Sequence, residues 1–113
     1  MNQLPLPPDA LAARTGLRPA DLAYIRAVLA AEAAVAQAWI YGARARGTHR
    51  PGSDVELALA GPLTDEVLAR IRFRLMEAGP LPYLFDVTWL PDLAADNPLR
   101  AQIADDGLLL LLP

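Results

Sequence analysis

The sequence predicts an α/β (α+β) protein built on one small sheet. Short apolar runs at Val35–Tyr41, Asp54–Ala60 and Tyr83–Leu90 have the length and the β-branched or aromatic content of strands. The stretches that follow Pro19 and Thr64 carry apolar residues at helical spacing. Gly61-Pro62 and Gly79-Pro80 punctuate the chain between these elements.

Residues 1–15 hold Pro5, Pro7 and Pro8 and read as an irregular arm with one helical turn around Leu11, ahead of a single domain over 16–113. Pro19 suits a first helical position, and Leu22, Ile25 and Leu29 then form one stripe. The Ala-rich stretch Ala30–Ala36 extends that helix. After the first strand, residues 42–53 are a loop or short helical turn. Thr64 caps a second helix, with Asp65 and Glu66 complementing the dipole of its first turn. Val67, Leu68, Ile71 and Leu75 point inward, and the helix runs to about Ala78. Along the third strand Phe85, Val87 and Trp89 share one face, while Leu84, Asp86 and Thr88 share the other. Asn97 caps a last helix with Pro98 in its first position and Leu99 and Ile103 inward; Gly107 stops it. Leu108–Leu112 is a final strand at a sheet edge or a partner contact.

Composition removes several chemistries. All ten basic residues are Arg, so Schiff-base chemistry and a P-loop lysine are excluded. There is no Cys, hence no disulfide, thiolate catalysis or Cys-based zinc site. The single His49 builds no histidine-rich metal site and reads as a solvated loop residue. A net charge of −3 and a pI near 4.9 argue against a general nucleic-acid binder. No apolar run of membrane-spanning length and no signal-peptide pattern is present, so the expected location is cytoplasmic. Apolar residues make up 54% of so short a chain, which invites a partner surface and a homo- or hetero-oligomer. Trp39 and Trp89 read as core or interface aromatics, and Arg70, Arg72 and Arg74 as a solvated helix face.

The chemistry concentrates between Trp39 and Leu59. Period-two alternation puts Asp54 and Glu56 on one strand face with Val55 on the other, and Asp86 is a third acid inside an apolar strand. Two unpaired carboxylates about 4 Å apart repel by roughly 4 kcal/mol at an effective dielectric near 20, so such a cluster calls for cations. Hard divalent ions with oxygen ligands answer that need, and Mg²⁺ completes its shell with substrate phosphates. Gly42 lets backbone amides approach a phosphate closely, and Arg44 and Arg46 offer permanently charged forks.

The segment G-A-R-A-R-G-T-H-R-P-G-S-D-V-E-L resembles the G-S-x10-D-x-[D/E] signature of the DNA polymerase β-like nucleotidyltransferases. Gly42 and Ala43 are followed by ten residues and then Asp54, Val55 and Glu56. The strand L-P-Y-L-F-D-V-T-W-L and the segment D-N-P-L-R-A-Q-I-A-D-D-G are similar to the third strand and closing helix of the minimal (MNT) branch. The resemblance implies a small mixed sheet with helices packed on one side. It implies Asp54, Glu56 and Asp86 as metal-holding catalytic acids for Mg²⁺, two ions in the full site, with Asp86 helping to deprotonate the acceptor. Gly42, Ala43, Arg44, Arg46 and Ser53 would bind the nucleotide, ATP. It further implies a helical HEPN partner, an RNase toxin whose tyrosine receives AMP while the MNT chain acts as antitoxin. Two positions depart from the pattern: Ala43 stands where the family has Ser, and Glu56 is the longer of the two acids. A degenerate antitoxin that neutralises its partner by binding alone is the alternative.

Overall fold

The structure is a computed structural model that describes residues 6–111. In chain order it contains α1 (Pro8–Thr15), α2 (Pro19–Ala30), β1 (Gln37–Tyr41), α3 (Ala43–Arg46), β2 (Val55–Ala60), α4 (Asp65–Met76), β3 (Phe85–Trp89), a 3₁₀ turn (Leu90–Asp92), α5 (Pro98–Asp106) and β4 (Leu108–Leu111). The sheet has four strands in the order β3-β2-β1-β4. β1 runs antiparallel to β2 and β4, whereas β2 and β3 are parallel and joined through α4, so the sheet is mixed.

Alternation divides the sheet into two faces. Ala38, Ile40, Val55, Leu57, Leu59, Phe85, Val87 and Leu110 turn toward α2 and α4 and pack with Leu22, Ile25, Leu29, Leu68, Ile71 and Leu75. Trp39, Tyr41, Ala58 and Leu109 turn the other way and meet Ile103 of α5. That second cluster covers only part of its face, and the strand ends that carry Glu56 and Asp86 extend beyond it.

Thr64 Oγ1 accepts from Val67 N at 3.2 Å and Asn97 Oδ1 from Leu99 N at 2.9 Å, so both expected caps form. The Ala-rich stretch does not prolong α2. Glu32 N closes on Leu29 O and Val35 N on Glu32 O, two tight turns that bury Val35 and deliver Ala36 N to Ala60 O. Tertiary burial of Val35 and Glu32 overrides the alanine propensity.

The irregular arm expected over 1–15 is corrected from residue 8 onward; Pro5 lies outside the described residues. Pro8 occupies the first turn of α1, Asp9 and Arg14 complement its dipole, and Gly16 ends it in the left-handed region. Leu11, fully buried, gives α1 its place in the core. Residues 108–111 form an edge strand with Leu109 and Leu110 buried in the protein itself.

The arginines of α4 are not simply solvated. Arg70 forms a double hydrogen bond with the buried carboxylate of Glu32 at 2.6 and 2.7 Å, and Arg72 donates to Val87 O on the β3 edge at 2.9 Å. At the opposite edge Arg26 donates to Leu110 O at 3.1 Å. The bond from Arg70, stronger than the opposing effect of burial, holds the Glu32 carboxyl below its ordinary range. A depressed acid contributes stability above its unfolded pKa and loses it as pH falls through the folded one. Arg70→Ala should therefore destabilise the fold at neutral pH, since Glu32 keeps its burial and loses its partner. Urea titrations of both proteins should show that difference shrinking as the buffer is acidified through the carboxylate range.

Candidate functional site

The site begins where β1 ends. Gly42 adopts φ 77° and ψ −154°, a conformation open to glycine, and a Cβ there would collide with Glu56 Oε2. The carboxylate of Glu56 thus lies directly across the Gly42 backbone. Ala43 starts the single turn of α3, closed by Gly47 in the left-handed region and by Thr48 N donating to Ala43 O at 2.9 Å. The loop then folds on itself. Ser53 N reaches Arg50 O at 2.9 Å, and Arg50 N reaches Ser53 Oγ at 2.8 Å. Ser53 therefore spends its hydroxyl within the turn.

Sheet register sets the acids. Tyr41 on β1 pairs with Glu56 on β2, which pairs with Asp86 on β3, and Asp54 precedes β2 by one residue on the face of Glu56. Glu56 is half-buried, and Asp54 and Asp86 are exposed. Burial pushes the Glu56 carboxyl above its ordinary value, and the charges of Asp86 and Asp54 push it further; Arg46 and the Ala43 amide pull the other way. No salt bridge among the described residues reaches any of the three acids.

Among the described residues, no three acidic or histidine side chains are gathered at ligating distances. Asp54, Glu56 and Asp86 form a row along one face rather than a cage. The donor chemistry fits a hard divalent ion, because all three are carboxylates and the half-buried one is disfavoured as an anion by burial and then by its neighbours. The row lies on an open surface, with no enclosed cavity among the described residues.

The arginines also depart from expectation. Arg44 is 2% exposed, and its guanidinium donates to backbone carbonyls of Thr15, Pro51 and Ser53. It also lies over the Tyr83 ring, 5.0 Å from the centroid. It is a structural residue and offers no free fork to a phosphate. Arg46 is exposed, pairs with Asp106 at 2.6 Å, and is the cation whose field reaches Glu56. His49 is half-buried with an unpartnered Nδ1, its ring packed against Gly16, so it is not a solvated residue. Tyr41 joins the site without any chemical signal in the sequence. The Tyr41 hydroxyl meets Thr88 Oγ1 at 3.2 Å, reaching across β2 above the small side chain of Ala58. The alternation that links Trp39 and Tyr41 on one face was the available signal.

No protein-family model and no curated protein matches the sequence. Solved structures do match the fold. A chain of a toxin–antitoxin complex crystallised with AMP-PNP superposes with a TM-score of 0.67, covering 81% of this chain and 73% of its own, at 19% identity. A mutant of the MntA–HepT complex bearing two Asp→Glu substitutions gives 0.66 with the same shares and 19% identity. The MntA–HepT complex itself gives 0.63, covering 85% of this chain and 74% of its own, at 16% identity.

The chain shares its fold with chains of these toxin–antitoxin complexes. In that fold the Gly42 turn and the β2–β3 pair stand side by side, and two substitutions probe their contact. Gly42→Ala forces an L-residue into a glycine conformation and drives Cβ into Glu56, which should cost about 1–3 kcal/mol from backbone strain alone, read from chemical denaturation. Glu56→Gln should do the opposite. A carboxyl raised in the folded state destabilises as pH rises through its folded pKa and costs nothing below the unfolded one. The glutamine variant should melt higher near neutral pH, with the gap closing in acid, measured by thermal unfolding across that range.

Proposed function

We propose that this chain transfers AMP from ATP to a tyrosine hydroxyl of a helical HEPN-type RNase toxin, and so acts as its antitoxin. The observation that carries the reading is the register of Glu56 with Asp86, with the Glu56 carboxylate lying on the Gly42 turn. This places acids on neighbouring strands beside backbone amides that can approach a triphosphate. The likeness to chains of toxin–antitoxin complexes, one with AMP-PNP, supports the same reading.

Asp54, Glu56 and Asp86 would hold Mg²⁺, which when bound neutralises phosphate charge and orients the triphosphate. The chain's own residues supply the remainder. The Gly42–Ala43 turn lies against the phosphates, its Ala43 amide fixing Glu56, and Arg46 adds positive charge at the rim. Asp86, exposed, takes the proton of the incoming hydroxyl. The hydroxyl oxygen bonds to the α-phosphorus as the bond to the pyrophosphate oxygen breaks. The open face has room for an acceptor carried by a second protein.

The test combines the chain, Mg²⁺, labelled ATP and its HEPN partner. Label should appear on a partner tyrosine, and Asp54→Asn or Asp86→Asn should lower the rate at least about a hundredfold, the scale of a lost acid–base or charge-stabilising group. An unlabelled partner that is nonetheless neutralised, by wild type and both variants alike, removes the enzymatic reading. That outcome favours the second one, neutralisation by binding alone, for which Ala43 in the place of the motif's serine speaks. ATP would then leave the melting temperature unchanged, whereas a true ligand at a hundredfold excess over its Kd stabilises by about 2.7 kcal/mol.

A further inference from the structure

The loop between Gly42 and Asp54 is tied to the first helix by arginines that cross in both directions. Arg14, in the last turn of α1, donates Nε to Ala45 O inside α3 at 2.8 Å. Arg44, inside α3, donates Nη1 back to Thr15 O at the end of α1, also at 2.8 Å. The rest of the Arg44 fork reaches forward along the loop. Nε and Nη2 contact Ser53 O at 3.1 and 3.0 Å, and Nη2 also contacts Pro51 O at 3.4 Å. Ser53 is the residue immediately before Asp54. A single guanidinium therefore joins the turn that begins at Gly42 to the backbone that delivers the first acid.

The surroundings keep that guanidinium in place. Tyr83 lies under it, and the Tyr83 hydroxyl donates to Asp21 Oδ2 at 2.9 Å; Asp21 is in turn held by Arg18. The two helices meet closely enough that Gly16 and Gly47 serve as contact points. A Cβ on Gly16 would strike the His49 ring, and one on Gly47 would sit 3.5 Å from the Arg14 side chain. A loop of this length, left free, costs conformational entropy to order around a ligand. Ordering it in advance lowers that cost.

We propose that this reciprocal arginine clasp sets Asp54 against the Gly42–Ala43 turn, so that Arg44 and Arg14 are positioning residues for the nucleotide and metal, and α1 is a working part of the site. The inference rests on the nucleotidyltransferase reading above. A planar fork with several donors is what the arrangement demands, and lysine, a point donor, does not replace it.

The test uses the full chain with Arg14→Ala, whose side chain is exposed, and Arg44→Lys, which keeps the charge and loses the fork. Trypsin cleavage after Arg46, which Gly47 follows, read by mass spectrometry, reports loop order without reference to activity. Both variants should melt cooperatively and be cut in the loop about tenfold faster, as the locally open population rises. In AMP transfer, the half-saturating concentrations of Mg²⁺ and ATP should each rise about tenfold, with most of kcat recovered at saturation. Wild-type cleavage rates in both variants would overturn the clasp. So would a loosened loop with unchanged Mg²⁺ and ATP constants, since the clasp would then position nothing. Should Arg44→Lys lose its cooperative melt, Arg14→Ala decides alone. A wild-type chain that neither binds ATP nor transfers AMP sinks the functional reading, and the clasp then stands or falls on the cleavage rates.

Discussion

A guanidinium taken out of water must find acceptors for its protons, and Arg44 finds them entirely in backbone carbonyls. That requirement organises one end of the molecule. Thr15 must end α1 with its carbonyl facing the loop, Ser53 must present its own carbonyl before β2 begins, and Tyr83 must lie flat beneath the fork. No carboxylate neutralises Arg44 directly. Compensation comes from the π face of Tyr83 and from peptide dipoles. The same logic recurs through a chain without lysine. Arg14, Arg72 and Arg100 also donate to main-chain oxygens, so arginine here closes loose backbone ends more often than it pairs with acids.

The sheet separates stability from chemistry by face. Toward α2 and α4 the residues are apolar and closely covered. On the opposite face α5 covers Trp39, Tyr41 and Ala58, and the row of acids lies beyond that cover. Glu56 stands at the boundary, partly buried and next to like charges. An arrangement that raises a carboxyl in this way works against folding, and such costs gather where a protein binds something. Register makes the row possible, because a one-residue slip of β3 would send Asp86 into the core and Phe85 into water.

Much of this was legible in the sequence. Alternation placed Asp86 on the face opposite Phe85 and Val87, and the Thr64 and Asn97 caps were readable from residue type and position. The motif spacing led to the Gly42 turn and to Glu56. Contacts distant in sequence were not legible. By type and place in the motif Arg44 reads as a phosphate fork; only the fold reveals that Thr15 O, 29 residues earlier, occupies it. Arg70 and Arg72 read as solvated for the same reason. The first helix is a different case. Pro8, Asp9, Arg14 and Gly16 are ordinary start and stop signals, outweighed by the three prolines nearby. The spread of the acids was also beyond a sequence reading, since alternation assigns a face but not a separation.

The margins of the sheet carry a further implication. β3 and β4 are its two edges, and each has an arginine from a helix bonded to one of its carbonyls, Arg72 at Val87 and Arg26 at Leu110. Edge strands are templates for uncontrolled strand addition, and β4 is built of consecutive leucines. A charged guanidinium seated on such an edge blocks the approach of another backbone while leaving the strand's own pairing intact. A peptide seeking to extend this sheet would first have to displace an arginine at either side, which guards an apolar-rich chain against self-assembly into fibrils.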